Sequence, residues 1–218
     1  MIQRLARLLG FTAFGLWLSR QPRRVAVVAQ LAIVLLAFGI PVALAALGRL
    51  NYAEVWWWLW VDALIVGVWT IVALRGQPSA GFFAIHYLGM FTLLPGLLVA
   101  LLLSRTLPME TRWWVIAIVG VVSFVVQGWL SRRYWLRPDT LGAGRPGAGA
   151  MVLPYLRLAV VYAGMFIPLS IAGVPQGDDR PISLDDTIRA TVILTVIKLL
   201  LEVILALIDL IRTLRPKR

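Results

Sequence analysis

Six long apolar runs leave this chain few possible folds. They lie at roughly 25–47, 54–74, 81–103, 113–130, 151–174 and 187–211, with ends good to about 2–4 residues. Each is about 18–25 residues long, enough for an α-helix to cross a hydrocarbon core of ~30 Å. Only 14% of the residues are charged, against roughly 25% in a soluble domain. The alternating segments of ~10 residues that build a membrane β-barrel are absent. The expected fold is all-α: a polytopic membrane helical bundle of six transmembrane helices, in a single integral membrane domain over 1–218.

Charge gives the expected orientation. The net charge is +11, which in a soluble chain would point to nucleic acid. Here the cations gather at the ends of the apolar runs, so no nucleic-acid partner is expected. With the N-terminus inside, the inner segments hold Arg4, Arg7, Arg20, Arg23, Arg24, Arg75, Arg132, Arg133, Arg137, Arg145, Arg212, Arg215, Lys217 and Arg218. The outer ones hold Arg49, Arg105, Arg112, Arg180 and Arg189. The positive-inside rule then places both termini in the cytoplasm. Arg4 and Arg7 precede a short apolar run, Leu8 to Leu18, with no small-residue cleavage site after it. Residues 1–20 therefore read as an interfacial helix rather than a signal peptide. The chain has no cysteine, which excludes disulfides, thiol catalysis and thiolate metal sites.

Aromatic residues lie where a membrane interface would want them. Trp56, Trp57, Trp58 and Trp60 open the second run, Trp113 and Trp114 open the fourth, and Trp129, Tyr134 and Trp135 close it. They are expected to anchor in the headgroup layers. The loop 136–150 is rich in Gly, Pro and Ala. Its G-x-G-x-x-G match at Gly142, Gly144 and Gly147 has no preceding strand, so it reads as a linker. The loop 175–186 carries Asp178, Asp179, Asp185 and Asp186. Ser183 followed by Asp186 reads as a helix start with acids near its N-terminus.

Polar residues inside the apolar runs carry whatever chemistry the chain has. The last run is mostly Leu, Ile and Val, yet Thr191, Thr195, Lys198, Glu202 and Asp209 fall within about 60° of one another on a helical wheel. Acyl chains cannot solvate such groups, so this stripe should face protein or water. The second run contains Asp62. The third contains His86, Tyr87 and Thr92, with Pro95-Gly96 expected to bend it. The fourth places Gly120, Ser123, Gln127 and Ser131 on one face, and the fifth contains Arg157 and Tyr162. Counting ~1.5 Å per residue along alternating spans sets Asp62 level with Lys198 near mid-membrane. The same count sets His86, Gln127, Arg157 and Glu202 together in the inner leaflet. The expected intramembrane polar site is therefore Asp62, His86, Gln127, Arg157, Lys198 and Glu202, with an Asp62–Lys198 pair and a His86–Arg157–Glu202 group. With a single histidine in the chain, no zinc site and no cofactor are expected.

Gly81-Phe82-Phe83-Ala84-Ile85-His86-Tyr87-Leu88-Gly89-Met90-Phe91 resembles a segment of an uncharacterised prokaryotic family of small multi-span membrane proteins. That family is similar in opening a middle span with Phe-Phe-x-x-His-Tyr and in a final span where Lys is followed by an acid, as Lys198 and Glu202 are here. The resemblance implies a prokaryotic inner membrane, draws attention to His86, and implies no activity.

The expected function is transport or permeation of an ion or small solute, or membrane-embedded ligand binding. The alternatives are an intramembrane enzyme acting on a lipid-like substrate at the inner leaflet, and an assembly or scaffold subunit of a membrane complex. No nucleophile motif favours the enzyme. The expected partners are the bilayer, its anionic headgroups, and a second copy or another membrane subunit.

Overall fold

A computed structural model describes Ala13, Trp17, Arg20 and Gln21 and the segments 23–74, 76–98, 112–135, 148–171 and 184–214. Among these residues the chain is all α-helical. Its helices are α1 (Arg23–Ala46), α2 (Tyr52–Leu74), α3 (Ser79–Leu98), α4 (Trp113–Trp135), α5 (Ala148–Ile171) and α6 (Leu184–Leu214). Tyr52–Leu74, Ser79–Leu98 and Asp185–Ile208 are long and apolar enough to cross a membrane, and Leu31–Ala46 and Trp113–Gly128 are shorter apolar stretches. Of the expected interfacial helix, only Ala13, Trp17 and Arg20 are described; each is helical and exposed. The linker at 136–147 and the acids Asp178 and Asp179 lie outside the described residues. So do the side chains of Trp129, Tyr134, Trp135, Ser131 and Asp209.

Local chemistry explains the helix ends. Gly48 has φ of 64°, which a residue with a Cβ adopts only at a cost. Its N–H bonds Ala45 O at 3.0 Å, and the Arg49 N–H bonds Leu44 O at 2.8 Å. These are the paired bonds of a Schellman stop, and they use carbonyls that α1 would otherwise leave unpaired. Three residues on, a capping box starts α2. Glu54 N–H donates to Asn51 Oδ1 at 2.8 Å, and Asn51 N–H donates to Glu54 Oε2 at 3.1 Å. Each side chain satisfies the other's backbone donor. The α6 helix begins at Leu184 with Asp185 and Asp186 in its first turn, where carboxylates oppose the positive end of the helix dipole.

The chain forms two compact units: Met1–Arg20 with Trp57–Val161, and Gln21–Trp56 with Tyr162–Arg218.

In the first unit α3 runs antiparallel to α2. Trp60 meets Thr92 and Gly96, while Ala63 and Gly67 meet Tyr87. By contrast α4 runs parallel to α2, since Trp57 meets Trp113, Val61 meets Gly120 and Asp62 meets Gln127. The expected face of α4 is the one used: Gly120, Ser123 and Gln127 all turn to α2.

The middle of α3 departs from α geometry. Ala84–Leu93 is π-helical, and Leu94 N–H bonds Gly89 O, five residues back. The buried residues of α3 are Phe83, Tyr87, Thr92 and Gly96, a spacing of four, five and four. Thr92 Oγ1 donates to Tyr87 O at 2.7 Å and spans the long step. Pro95 has no N–H to continue the π ladder, which ends there. The bend expected at Pro95-Gly96 is thus a change of helix type that begins about ten residues earlier.

In the second unit α1 packs against α6. They are antiparallel: Phe38 lies against Lys198, and Gly48, just past the end of α1, lies against Ile188. The buried ridge of α1 is Val34, Phe38, Pro41 and Ala45. That of α6 is Thr187, Ala190, Thr191, Leu194, Thr195, Lys198, Glu202 and Ala206. The described part of the polar stripe, Thr191, Thr195, Lys198 and Glu202, therefore faces protein.

Candidate functional site

The first unit concentrates its polar groups around Tyr87. Gly67 makes this possible, because a Cβ there would stand 2.6 Å from both the Tyr87 ring and Leu88. With the ring so close to α2, the Tyr87 hydroxyl reaches Ala63 O at 3.0 Å and Pro154 O of α5 at 3.3 Å. One hydroxyl thereby ties three helices together. Beside Ala63, Asp62 is fully buried and accepts a hydrogen bond from Gln127 Nε2 at 3.2 Å. Asp62 and Arg157 both lie within electrostatic reach of the Tyr87 hydroxyl. Arg157 sits one helical turn beyond Pro154, on the side of α5 that Tyr87 approaches. Asp62, Tyr87, Gln127 and Arg157 thus come from four helices and form one polar neighbourhood.

His86 looks the other way along α3. Its Nδ1 is 2.7 Å from the Tyr155 hydroxyl. Phe82 stacks on its ring with a 5.1 Å centroid distance, and Phe91 lies 4.7 Å away. Tyr155 also packs edge-on against Phe83, Tyr87 and Phe91. Among the described residues His86 bonds Tyr155 and makes no hydrogen bond to Arg157.

The polar pair of the second unit lies on one helix. Lys198 Nζ donates to Glu202 Oε1 at 2.6 Å, with both side chains almost wholly buried. The Phe38 ring lies 5.1 Å from the ammonium, at cation–π range. The threonines of the stripe turn back on their own helix. Thr191 Oγ1 donates to Thr187 O at 2.6 Å, and Thr195 Oγ1 to Thr191 O at 3.0 Å. Asp62 belongs to the first unit and Lys198 to the second.

The indoles correct a second expectation. Trp56, Trp58 and Trp60 are buried and are not interface anchors. Trp58 Nε1 donates to Ser123 Oγ at 3.1 Å, and Trp60 Nε1 donates to Thr92 O at 2.8 Å. A buried indole needs an acceptor for its N–H, and α4 and the π segment supply these two. Trp113 and Trp114 are exposed, as an interface position requires.

Sequence reasoning missed Tyr155, Gly67, Gly96 and the Asn51–Glu54 cap. The cap was legible as N-x-x-E ahead of an apolar run. Gly96 was noted only for its bend, yet a Cβ there would fall 1.9 Å from Trp60 Nε1. Nothing in the linear spacing marks Tyr155. Among the described residues no group of three or more His, Asp or Glu side chains is arranged to hold a metal.

The pattern of a family of unknown function (DUF6498) matches residues 17–218. No curated protein and no solved structure matches the chain.

Proposed function

Because the chain belongs to this family of unknown function, from which no activity can be carried over, we propose a function from its own residues. It is a six-span protein of a prokaryotic inner membrane with both termini in the cytoplasm, and it binds and passes an ion or small polar solute at Asp62, Gln127 and Arg157. The antiparallel α2–α3 and α1–α6 pairs and the parallel α2–α4 pair support the topology, since alternate crossing requires those directions. Lys and Arg at the segment ends support the orientation.

The observation that carries the proposal is Asp62: a fully buried carboxyl group in the middle of an apolar helix, met by the side-chain amide of Gln127 from another. A carboxyl group at that depth is costly and is usually retained for function. An amide can hold it in place without neutralising it. The neighbouring π segment supports the reading, because π turns inside helices frequently mark functional sites.

The test is reconstitution in proteoliposomes with flux assays for protons, alkali cations and small solutes. Passage above protein-free vesicles, abolished by Asp62→Asn in a folded protein, is expected. Wild-type vesicles as tight as empty ones, for every solute tried, would remove the transport reading. If no solute shifts wild-type melting relative to Asp62→Asn, the binding reading goes as well.

A further inference from the structure

The Tyr155 ring packs on Tyr87, but among the described residues the His86–Tyr155 pair makes no hydrogen bond to Asp62, Gln127 or Arg157, and its two possible arrangements can be compared. Two arrangements satisfy the 2.7 Å contact. If Nδ1–H donates to the tyrosine oxygen, the hydroxyl hydrogen and the bare Nε2 both lack partners among the described residues. If the hydroxyl donates to Nδ1, Nε2–H and the tyrosine oxygen lack one. The phenolic O–H is the stronger donor of the two, and a bare ring nitrogen accepts better than a phenolic oxygen, so the second arrangement prevails and His86 presents an N–H donor through Nε2.

The surroundings of that donor are apolar and outward-facing. Phe82 is 66% and Ile85 71% exposed, and Phe91 is exposed beside them on α3. Val152 and Leu156 of α5, flanking Tyr155, are exposed too. Rings of Phe82 and Phe91 lie against the imidazole, which leaves its edge as the route of approach. A single N–H at the seam of two lipid-facing helices selects a hydrogen-bond acceptor that itself dissolves in the bilayer.

We propose that the α3–α5 seam is a binding site for a membrane-dissolved ring carbonyl compound of the quinone class, with His86 Nε2–H donating to a carbonyl oxygen and Phe82 and Phe91 offering faces to the ring. An ester carbonyl of a phospholipid matches the donor but has no flat ring for the exposed phenyl groups. A phosphate would have to leave the headgroup layer to reach it. The site rests on the membrane reading above but not on solute passage at Asp62.

The chain has one histidine, so selective ¹⁵N-histidine labelling gives one imidazole to follow by NMR. The protein is purified without a histidine tag and placed in nanodiscs of ether-linked phospholipid, which carry no ester carbonyl. A decyl-tailed benzoquinone is then titrated in. The expected result is a shift of the Nε2–H signal that saturates with the mole fraction of quinone in the bilayer and persists in Asp62→Asn. Tyr155→Phe, which frees the imidazole tautomer, should weaken the apparent affinity about fivefold. A signal that ignores the quinone, or drifts linearly with it, overturns the proposal. If the signal moves only when ester-linked lipid replaces the ether lipid, the occupant is an ordinary phospholipid and the proposal is equally overturned.

Discussion

Helices α3 and α6 each carry polar side chains through an apolar span, and they do so by opposite means. On α6 the buried positions Thr187, Thr191, Thr195, Lys198 and Glu202 follow α periodicity throughout. Bonds within the helix join Lys198 to Glu202 and turn Thr191 and Thr195 back on carbonyls of α6, while Phe38 of α1 lies over the ammonium. On α3 the buried positions step by four, five and four; the Thr92 hydroxyl back-bonds to Tyr87 O, but the Tyr87 hydroxyl bonds Ala63 and Pro154, and the Thr92 carbonyl bonds Trp60, all on other helices. A stripe that donates outward requires close approach, and here Gly67 and Gly96 supply it.

The sharpest way to break this contrast is to unbalance α6. Lys198→Ala or Glu202→Ala leaves one buried charge without its helix partner and should cost about 3–5 kcal/mol. The double change Lys198→Met with Glu202→Leu should recover most of it. Unfolding in mixed micelles measures both. A double variant no better than either single would mean that the pair serves more than its own neutralisation.

Next in size is crowding at the close approaches of α3. Gly96→Ala and Gly67→Ala force a Cβ into Trp60 and Tyr87 and should cost about 1–3 kcal/mol each. Gly89→Ala, with nothing within 4 Å, should be neutral or gain up to ~1 kcal/mol. Equal effects at the three positions would contradict the packing described here.

Smaller again is Thr92→Val, which deletes the bond spanning the π step and should cost about 1 kcal/mol. Its more telling readout is amide exchange, which should quicken within 84–93 and stay unchanged in α6. The smallest change is expected for Thr191→Val and Thr195→Val. The side chains are nearly isosteric, and the carbonyls that lose a hydroxyl remain inside a helix, so each should stay within ~0.5 kcal/mol. A larger loss would show that those hydroxyls do more than back-bond.

Much of the helical layout was legible because hydrophobic length and α periodicity are local properties. The run predicted at 187–211 is helix Leu184–Leu214, its stripe is buried, and the face of α4 at Gly120, Ser123 and Gln127 is the one that meets α2. The tryptophans misled because interface and core positions have the same composition; the difference is whether the rest of the fold covers the indole, as it does at Trp56, Trp58 and Trp60.

By itself, then, the sequence determined which segments are helical, where α1 stops and α2 starts, and which face of α6 is polar. Each follows from contacts within a few residues of chain. The tertiary structure decided the π turn, the sharing of the Tyr87 hydroxyl and the pairing of His86 with Tyr155. Those rest on atoms 24 to 69 residues apart. No local pattern encodes them, because a one-residue shift in helix winding costs little within the helix and is settled by the neighbours it packs against.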